Sequence, residues 1–223
     1  MARHAALFDI DGTLVNSLPL YQATINYMLG AEGLGPIDAP TTMSLFQDNI
    51  EYMIRLAFKI CGKPLADEAY PAALERYMAF YEDGANCRRY VEPYPGVPET
   101  LEALRQTNIK LGIVTNRPYS ASVKILEEMG LLSYFPDILS IDRVTKHKPD
   151  PAHLIEALEQ MNLNRDEAVM VGDHDMDVIV SKRAGVPAIL LTYGYAPSDP
   201  ATLDADVLIG DFRDLPEALR SLP

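Results

Sequence analysis

The spacing of hydrophobic and polar positions divides this chain into three stretches. An apolar run that ends at Phe8 is followed by polar residues and a glycine, which predicts a short buried strand. From about Ser17 to Arg89 the apolar side chains recur at helical spacing, with no strand pattern. From Val97 onward, short apolar runs alternate with helical segments. This alternation predicts a parallel sheet with helices on both faces.

Turn residues and periodicity together place the individual elements. The middle stretch is predicted to hold helices over residues 18–29, 50–58 and 74–81, with loops at 30–40 and 41–46. The last stretch is predicted to hold strands at 110–115, 137–141, 168–171, 188–191 and 207–209, and helices from 97, at 154–161, 175–184 and 213–222. The segment Asp175–Ala184 contains the β-branched run Val178–Val180, but glycines before and after it favour a helix.

The predicted fold class is therefore α/β, with a doubly wound, Rossmann-like parallel-sheet core and an all-helical domain inserted after the first strand. We expect residues 1–15 and 91–223 to form the core and residues 16–90 to form the helical domain. A chain of 223 residues with 48% hydrophobic side chains can bury one good-sized core and a small second lobe.

Composition and charge exclude several classes of function. The formal charge is −13, from 19 basic and 32 acidic side chains without a long basic run, so we expect no nucleic-acid partner. Cys61 and Cys87 form no CxxC motif, so neither a disulfide nor a zinc site is expected. The N-terminus lacks a signal-peptide pattern and no apolar span reaches about 18 residues, which predicts a cytoplasmic protein without a membrane partner.

Two carboxylates follow the first predicted strand. Asp9 and Asp11 are two positions apart, so an extended backbone points both the same way at the carboxyl end of the strand, where open α/β sheets bind ligands. Two close carboxylates repel each other and remain ionised only beside a cation. Oxygen ligands and clustered negative charge favour Mg²⁺.

Asp9-Ile10-Asp11-Gly12-Thr13 resembles the first motif of the haloacid dehalogenase superfamily, most of whose members are phosphatases with an aspartate nucleophile. Three further segments follow in the order of that family, namely Val114–Pro118, Lys148–Pro151 and Val171–Asp177. The resemblance covers nearly the whole chain. It implies the same doubly wound core, with a mobile helical cap between the first and second motifs, and Mg²⁺ as the cofactor.

The resemblance implies two chemical roles at the first motif. Asp9 would be the nucleophile that forms an aspartyl-phosphate. Asp11 would protonate the leaving alcohol and then activate the water that hydrolyses the intermediate.

The other motifs would bind phosphate and metal. Thr115 and the amide of Asn116 would bond the phosphoryl oxygens, and Lys148 would neutralise their developing charge. Asp173 would ligate Mg²⁺ together with the Asp9 carboxylate and the backbone carbonyl of Asp11. Asp177 would orient a water molecule on the metal.

Ordinary structural roles remain open for these residues taken singly. Thr115 and Asn116 could cap the helix expected after Pro118. Lys146 competes with Lys148, although only Lys148 directly precedes a proline, as the family pattern requires. His174 replaces a small hydroxyl residue of the family pattern, and it is either a loop side chain or a neighbour of the metal.

Weaker sequence resemblances indicate the branch of the superfamily to which the chain is most similar. Tyr94–Val97, Thr115–Arg117 and Thr192–Tyr195 resemble the phosphoglycolate phosphatase branch, although the loop Thr41–Phe46 lacks a glycine frequent in relatives. The expected function is Mg²⁺-dependent hydrolysis of a small organic phosphomonoester, by a monomer or homodimer. Two alternatives remain: a phosphomutase of the same superfamily, similar to beta-phosphoglucomutase, and a phospho-accepting receiver-type signalling module.

Overall fold

A computed structural model describes residues 4–45 and 50–222. In this part of the chain the strands are β1 (Ala5–Phe8), β2 (Val15–Asn16), β3 (Glu92–Pro93), β4 (Lys110–Thr115), β5 (Asp137–Ser140), β6 (Ala168–Gly172), β7 (Ala188–Leu191) and β8 (Val207–Ile209). The α-helices are α1 (Leu18–Gly30), α2 (Ala39–Ser44), α3 (Ile50–Ile60), α4 (Tyr70–Tyr81), α5 (Gly84–Tyr90), α6 (Val97–Arg105), α7 (Tyr119–Glu128), α8 (Ala152–Gln160), α9 (Asp175–Ala184) and α10 (Leu215–Ser221).

The main sheet has the strand order β5-β4-β1-β6-β7-β8 within the described residues, and all neighbouring strands are parallel. Helices α7, α8 and α9 make the crossovers from β4 to β5, β5 to β6 and β6 to β7. This arrangement confirms the predicted doubly wound α/β fold. Because the strands are parallel, the carboxyl ends of β1, β4 and β6 lie together at one edge.

The central strand is apolar throughout because both faces of the sheet are covered. All four residues of β1 are fully buried. Leu7 belongs to the cluster that packs the sheet against α8 and α9, whereas the ring of Phe8 lies 5.8 Å from that of Phe135 and 6.0 Å from that of Phe212. A strand buried on both faces therefore reads as a continuous hydrophobic run rather than as an alternation.

Helix α9 forms despite its β-branched run because both of its ends are capped. The His174 side chain accepts a hydrogen bond from the Met176 N–H at the N-terminus. Gly185 adopts a left-handed conformation with φ of 71° at the C-terminus. The predicted bounds of this helix are confirmed.

The chain forms two compact units, Met1–Asn16 with Pro93–Pro223 and Ser17–Glu92. The first contains the main sheet, and the second contains α1 to α5. Helix α3 buries Met53, Ile54, Ala57 and Phe58 on its apolar face. The assignment of a catalytic core and a cap domain stays a prediction.

Three predicted elements need correction. The predicted loop over residues 41–46 is wrong, because α2 spans Ala39–Ser44 and Asp38 caps it by accepting the Thr41 N–H; Phe46 lies outside the described residues. Strand β5 ends at Ser140 rather than at Ile141, because Ser140 pairs with Thr115, the last residue of β4. The C-terminal segment begins as a 3₁₀ turn over Phe212–Asp214 before α10.

None of the described helices has the length and hydropathy needed to cross a membrane.

Candidate active site

The carboxyl edge of the sheet brings three of the four sequence motifs to neighbouring strands. Phe8, the last residue of β1, is in register with Ile113 of β4 and Val171 of β6. Asp9 follows β1 directly, Thr115 ends β4, and Asp173 follows β6. Parallel pairing therefore places residues from distant parts of the sequence around one site.

The carboxylate of Asp9 has a distinct environment at each oxygen. Its Oδ1 accepts the Ile10 N–H at 2.7 Å, and its Oδ2 lies 3.0 Å from Lys148 Nζ. Burial raises the pKa of Asp9 to about 6, although Lys148 acts in the opposite direction and stabilises the ionised form.

Lys148 is a buried cation that lies beside Asp9. It is only 1% exposed, and its Nζ lies 2.7 Å from Asp177 Oδ1 as well as close to Asp9. Burial alone would lower the pKa of Lys148, but the two carboxylates together raise it above its ordinary value. The competing candidate, Lys146, has a side chain that is 68% exposed and pairs with Asp150.

The backbone N–H and C=O groups of Lys148 are hydrogen-bonded by the side chains of Asn116 and His153. Asn116 donates from Nδ2 to the Lys148 carbonyl at 3.0 Å, and its Oδ1 accepts the Lys148 N–H at 3.1 Å. The Lys148 N–H also lies 3.1 Å from Nδ1 of buried His153, whose Nε2 lies 2.9 Å from the Leu139 carbonyl oxygen. The side chain of Asn116 thus fixes the Lys148 loop, and the alternative that it caps α7 is wrong.

Thr115 is buried at the end of β4, and its hydroxyl oxygen accepts the Arg117 N–H at 3.2 Å. A hydroxyl that accepts one hydrogen bond keeps its proton available for another acceptor. Helix α7 has Pro118 at its N-cap position, without a side-chain cap. The capping alternative for Thr115 is therefore wrong as well.

The carboxylate of Asp173 is buried between neutral donors. Thr13 Oγ1 donates to Oδ1 and the Tyr195 N–H donates to Oδ2, each at 2.7 Å. Burial raises the pKa of Asp173 well above its ordinary value, and the nearby carboxylates of Asp177 and Asp9 raise it further. These neutral donors leave the negative charge of Asp173 without full compensation.

Asp177 connects two parts of the site. Its Oδ1 pairs with Lys148, and its Oδ2 accepts the N–H groups of Asp173 and His174 at 3.2 and 3.0 Å. This carboxylate therefore fixes both the buried cation and the backbone turn that carries Asp173. His174 contributes its side chain as the N-cap of α9.

The structure adds a residue that the sequence did not single out. Arg117 pairs with Asp11 through a two-point contact, Nε to Oδ2 at 3.0 Å and an Nη to Oδ1 at 2.7 Å. In the sequence, Arg117 was only the fourth residue of the second motif, Val114–Pro118, and an arginine is usually exposed.

The carboxylate cluster fits a divalent cation. Asp9, Asp173 and Asp177 each offer an oxygen atom, and these atoms lie within 4.8 Å of one another. Lys148 pairs with two of these three carboxylates, and the pKa values of Asp9 and Asp173 are raised, so a further positive charge would relieve the repulsion. Oxygen donors of this type are the ligands of hard cations.

Comparison with known proteins gives concordant matches. The family model of haloacid dehalogenase-like hydrolases matches residues 6–191. A phosphoglycolate phosphatase of Rhodospirillum rubrum is 35% identical over 215 residues, which are 95% of this chain and 88% of that protein. An N-acetylmuramic acid 6-phosphate phosphatase of Pseudomonas aeruginosa is 30% identical over 222 residues, which are 98% of this chain and 96% of that protein. A solved structure described as a predicted phosphoglycolate phosphatase of Haemophilus somnus matches with a TM-score of 0.90 and 28% identity, covering 97% of each chain.

Proposed function

Because this chain belongs to the haloacid dehalogenase-like hydrolases and is a phosphatase of phosphoric monoesters, we propose that it works through an aspartyl-phosphate on Asp9, depends on Mg²⁺ and hydrolyses a small phosphoglycolate-like substrate. Membership of this family excludes the receiver-type alternative. The cytoplasmic location, the oligomeric state and the capping role of the helical unit stay predictions.

The observation that carries the proposal is the position of the Asp9 carboxylate. One of its oxygens lies 3.0 Å from the Lys148 ammonium, and Asp9 also belongs to the cluster with Asp173 and Asp177. A carboxylate in this position can attack phosphorus while positive charge lies beside it, which is the condition for nucleophilic catalysis at a phosphate dianion.

Mg²⁺ would be held by the carboxylates of Asp9 and Asp173 and by the backbone carbonyl of Asp11. When bound, it neutralises charge on the nucleophile and on the phosphoryl oxygens. Asp177, which the family resemblance assigns to the water shell of the metal, also holds Lys148 and the backbone at Asp173.

The chain's own residues would handle the phosphoryl group as follows. The Thr115 hydroxyl, the backbone amide of Asn116 and the Lys148 ammonium would bind its oxygens, and Asp9 would attack phosphorus in line with the leaving alcohol. Asp11 would give a proton to that alcohol and later take one from the hydrolytic water.

The substrate class rests on the relatives. The R. rubrum relative is named for phosphoglycolate, and the P. aeruginosa relative is named for a phosphorylated amino sugar. We propose the smaller substrate because Tyr94–Val97, Thr115–Arg117 and Thr192–Tyr195 together resemble the phosphoglycolate phosphatase branch, and the R. rubrum relative is named for that substrate. Values of kcat/KM for 2-phosphoglycolate, N-acetylmuramic acid 6-phosphate and sugar phosphates test this choice, and isomerised sugar phosphate without phosphate release would favour a mutase.

The decisive test of the nucleophile is Asp9→Asn. This variant should bind substrate but release no phosphate, whereas the wild type, stopped in acid during turnover, should carry phosphate on the peptide that contains Asp9 by mass spectrometry. Asp204→Asn is the matched control, since the Asp204 side chain is 90% exposed. Turnover by Asp9→Asn near the wild-type rate would exclude Asp9 as the nucleophile.

A further inference from the structure

We propose that Arg117 is a positioning residue that orients the Asp11 carboxylate for proton transfer. The inference rests on the proposed function, because it assigns Arg117 a task within that reaction.

The contact between the two side chains fixes an orientation rather than only a distance. Nε and one Nη of Arg117 lie 3.0 and 2.7 Å from the two carboxylate oxygens of Asp11. Two parallel hydrogen bonds between a planar guanidinium and a planar carboxylate restrict rotation of the carboxylate about its Cβ–Cγ bond. A single hydrogen bond from a lysine would not impose this restriction.

Arg117 is itself held in place. It is only 5% exposed, and its backbone N–H donates to the Thr115 hydroxyl at 3.2 Å. The same residue therefore touches the proposed acid–base residue through its side chain and a proposed phosphate ligand through its backbone. It links the first motif to the second, so the proton-transfer group and the phosphate-binding group keep a fixed relationship.

The reaction needs that relationship in both of its steps. In the first step, an Asp9 oxygen bonds to phosphorus while the bond between phosphorus and the alcohol oxygen breaks. The alcohol oxygen keeps the electron pair of the broken bond and takes a proton from Asp11. In the second, a water oxygen bonds to phosphorus, its proton passes to Asp11, and the electron pair of the bond from Asp9 to phosphorus returns to Asp9. Asp11 ends the first step as a carboxylate, which is the form that the guanidinium binds.

The nature of the leaving group separates this role from a general effect on folding. An alkyl phosphate such as 2-phosphoglycolate releases a strongly basic alkoxide unless it is protonated, so its cleavage depends on Asp11. 2,4-Dinitrophenyl phosphate releases a weakly basic phenolate and depends on that proton far less. Misplacement of Asp11 should therefore slow the first substrate much more than the second.

The experiment compares kcat/KM for both substrates in Arg117→Gln, Arg117→Lys, Asp11→Asn and the double variant. We expect Arg117→Gln to lower the value for 2-phosphoglycolate about 10- to 100-fold, with a clearly smaller loss for 2,4-dinitrophenyl phosphate. Arg117→Lys should recover little of the loss, because an ammonium keeps the positive charge but does not fix the orientation of the Asp11 carboxylate. In the Asp11→Asn background, Arg117→Gln should have little further effect, because the residue through which it acts is already disabled. The control is Arg105→Gln, since the Arg105 side chain is 56% exposed and pairs with Glu102.

Each outcome bears on one part of the scheme. Equal losses for both substrates, or a full additional loss from Arg117→Gln in the Asp11→Asn background, would overturn the positioning role. An Asp11→Asn variant as active on 2-phosphoglycolate as wild type would instead refute the acid–base role within the proposed function. Wild-type turnover in the same assay reports separately on the phosphatase activity.

Discussion

The ammonium nitrogen of Lys148 lies 2.7 Å from Oδ1 of Asp177, and both side chains are almost fully buried. Asp177 lies in the first turn of α9, whereas Lys148 lies in the loop before α8. The ion pair therefore ties two separate segments of the chain together and holds the cation beside Asp9.

Replacement of Lys148 by methionine tests the importance of this cation. The variant keeps the volume of the side chain but leaves two carboxylates in a buried site without their partner. We expect phosphate release to slow by about 100- to 1,000-fold, because a positioned charge that stabilises the transition state is lost. Stability to urea should fall by about 3–5 kcal/mol, because uncompensated buried charge is costly.

Lys146→Met is the matched control for that prediction. The Lys146 side chain is 68% exposed, and its pair with Asp150 lies at the surface. Both its rate and its unfolding free energy should stay close to the wild-type values. Equal losses in the two variants would show that the buried pair has no special role.

The amide of Asn116 provides a second test, because it pairs with both backbone groups of Lys148. Asn116→Ala should lower the unfolding free energy by about 1–3 kcal/mol, since the backbone N–H and C=O of Lys148 each lose a hydrogen bond. It should also slow turnover, because the loop that carries Lys148 loses its attachment to the second motif. Urea unfolding and phosphate release measure the two effects. A stable and fully active alanine variant would contradict the role of this contact.

Much of this arrangement could be predicted from the sequence, because it depends on local signals and on strand order. Helix α9 was predicted with its observed bounds from the glycines around it. Asp9 and Asp173 were expected to meet because each follows a strand of one parallel sheet, and the register of β1 with β6 brings the two strand ends together. Topology alone therefore sets these approximate positions.

The remaining contacts depend on side-chain conformations that no local pattern specifies. The pairing of Asp11 with Arg117 joins residues that are separated by 106 positions, and it requires one particular rotamer of a long side chain. Helix α2 was not predicted because it is short and because its N-terminal signal, Asp38 two positions before Pro40, also occurs in loops. His153 is one of the buried positions of α8, and helical spacing alone does not predict its contact with the Lys148 loop.

Gly194 is predicted to be required for the metal site. A Cβ atom at this position would lie 2.2 Å from Cβ of Asp173, so the Gly194→Ala variant must displace either the Tyr193–Tyr195 segment or the carboxylate. The Tyr195 N–H would then lose its bond to Asp173. We expect the affinity for Mg²⁺, measured by calorimetry on metal-free protein, to fall at least about 10-fold, as for other residues that orient metal ligands.

Gly210→Ala is the matched control, because its added Cβ atom would meet only Thr192 Oγ1 at an ordinary 3.6 Å. This variant should bind Mg²⁺ like the wild type. An unchanged dissociation constant in Gly194→Ala would show that the segment yields without moving Asp173, or that Asp173 does not bind the metal.

His153 should make the stability of the protein depend on pH. Burial lowers the pKa of His153 from 6.5 to about 4, and the positive charge of Lys148 contributes in the same direction, whereas the hydrogen bond to the Leu139 carbonyl and the charge of Glu156 oppose this shift. Between these two values the unfolded chain binds a proton that the folded chain does not, so stability falls as the pH decreases from 6.5 towards 4 and is fully present above 6.5. The full shift corresponds to about 3 kcal/mol.

The comparison of wild type with His153→Gln isolates this contribution, because the other titrating groups are common to both proteins. Glutamine carries no charge at any of these pH values, so its variant lacks the protonation penalty, even though it loses hydrogen bonds to the Lys148 N–H and the Leu139 carbonyl. Urea unfolding at several pH values should show a stability advantage of wild type that is constant above pH 6.5 and shrinks steadily below it. A difference that stays constant down to pH 4 would contradict this prediction. It would mean that His153 is protonated as readily in the folded protein as in the unfolded chain, despite its burial and its contacts with two backbone groups.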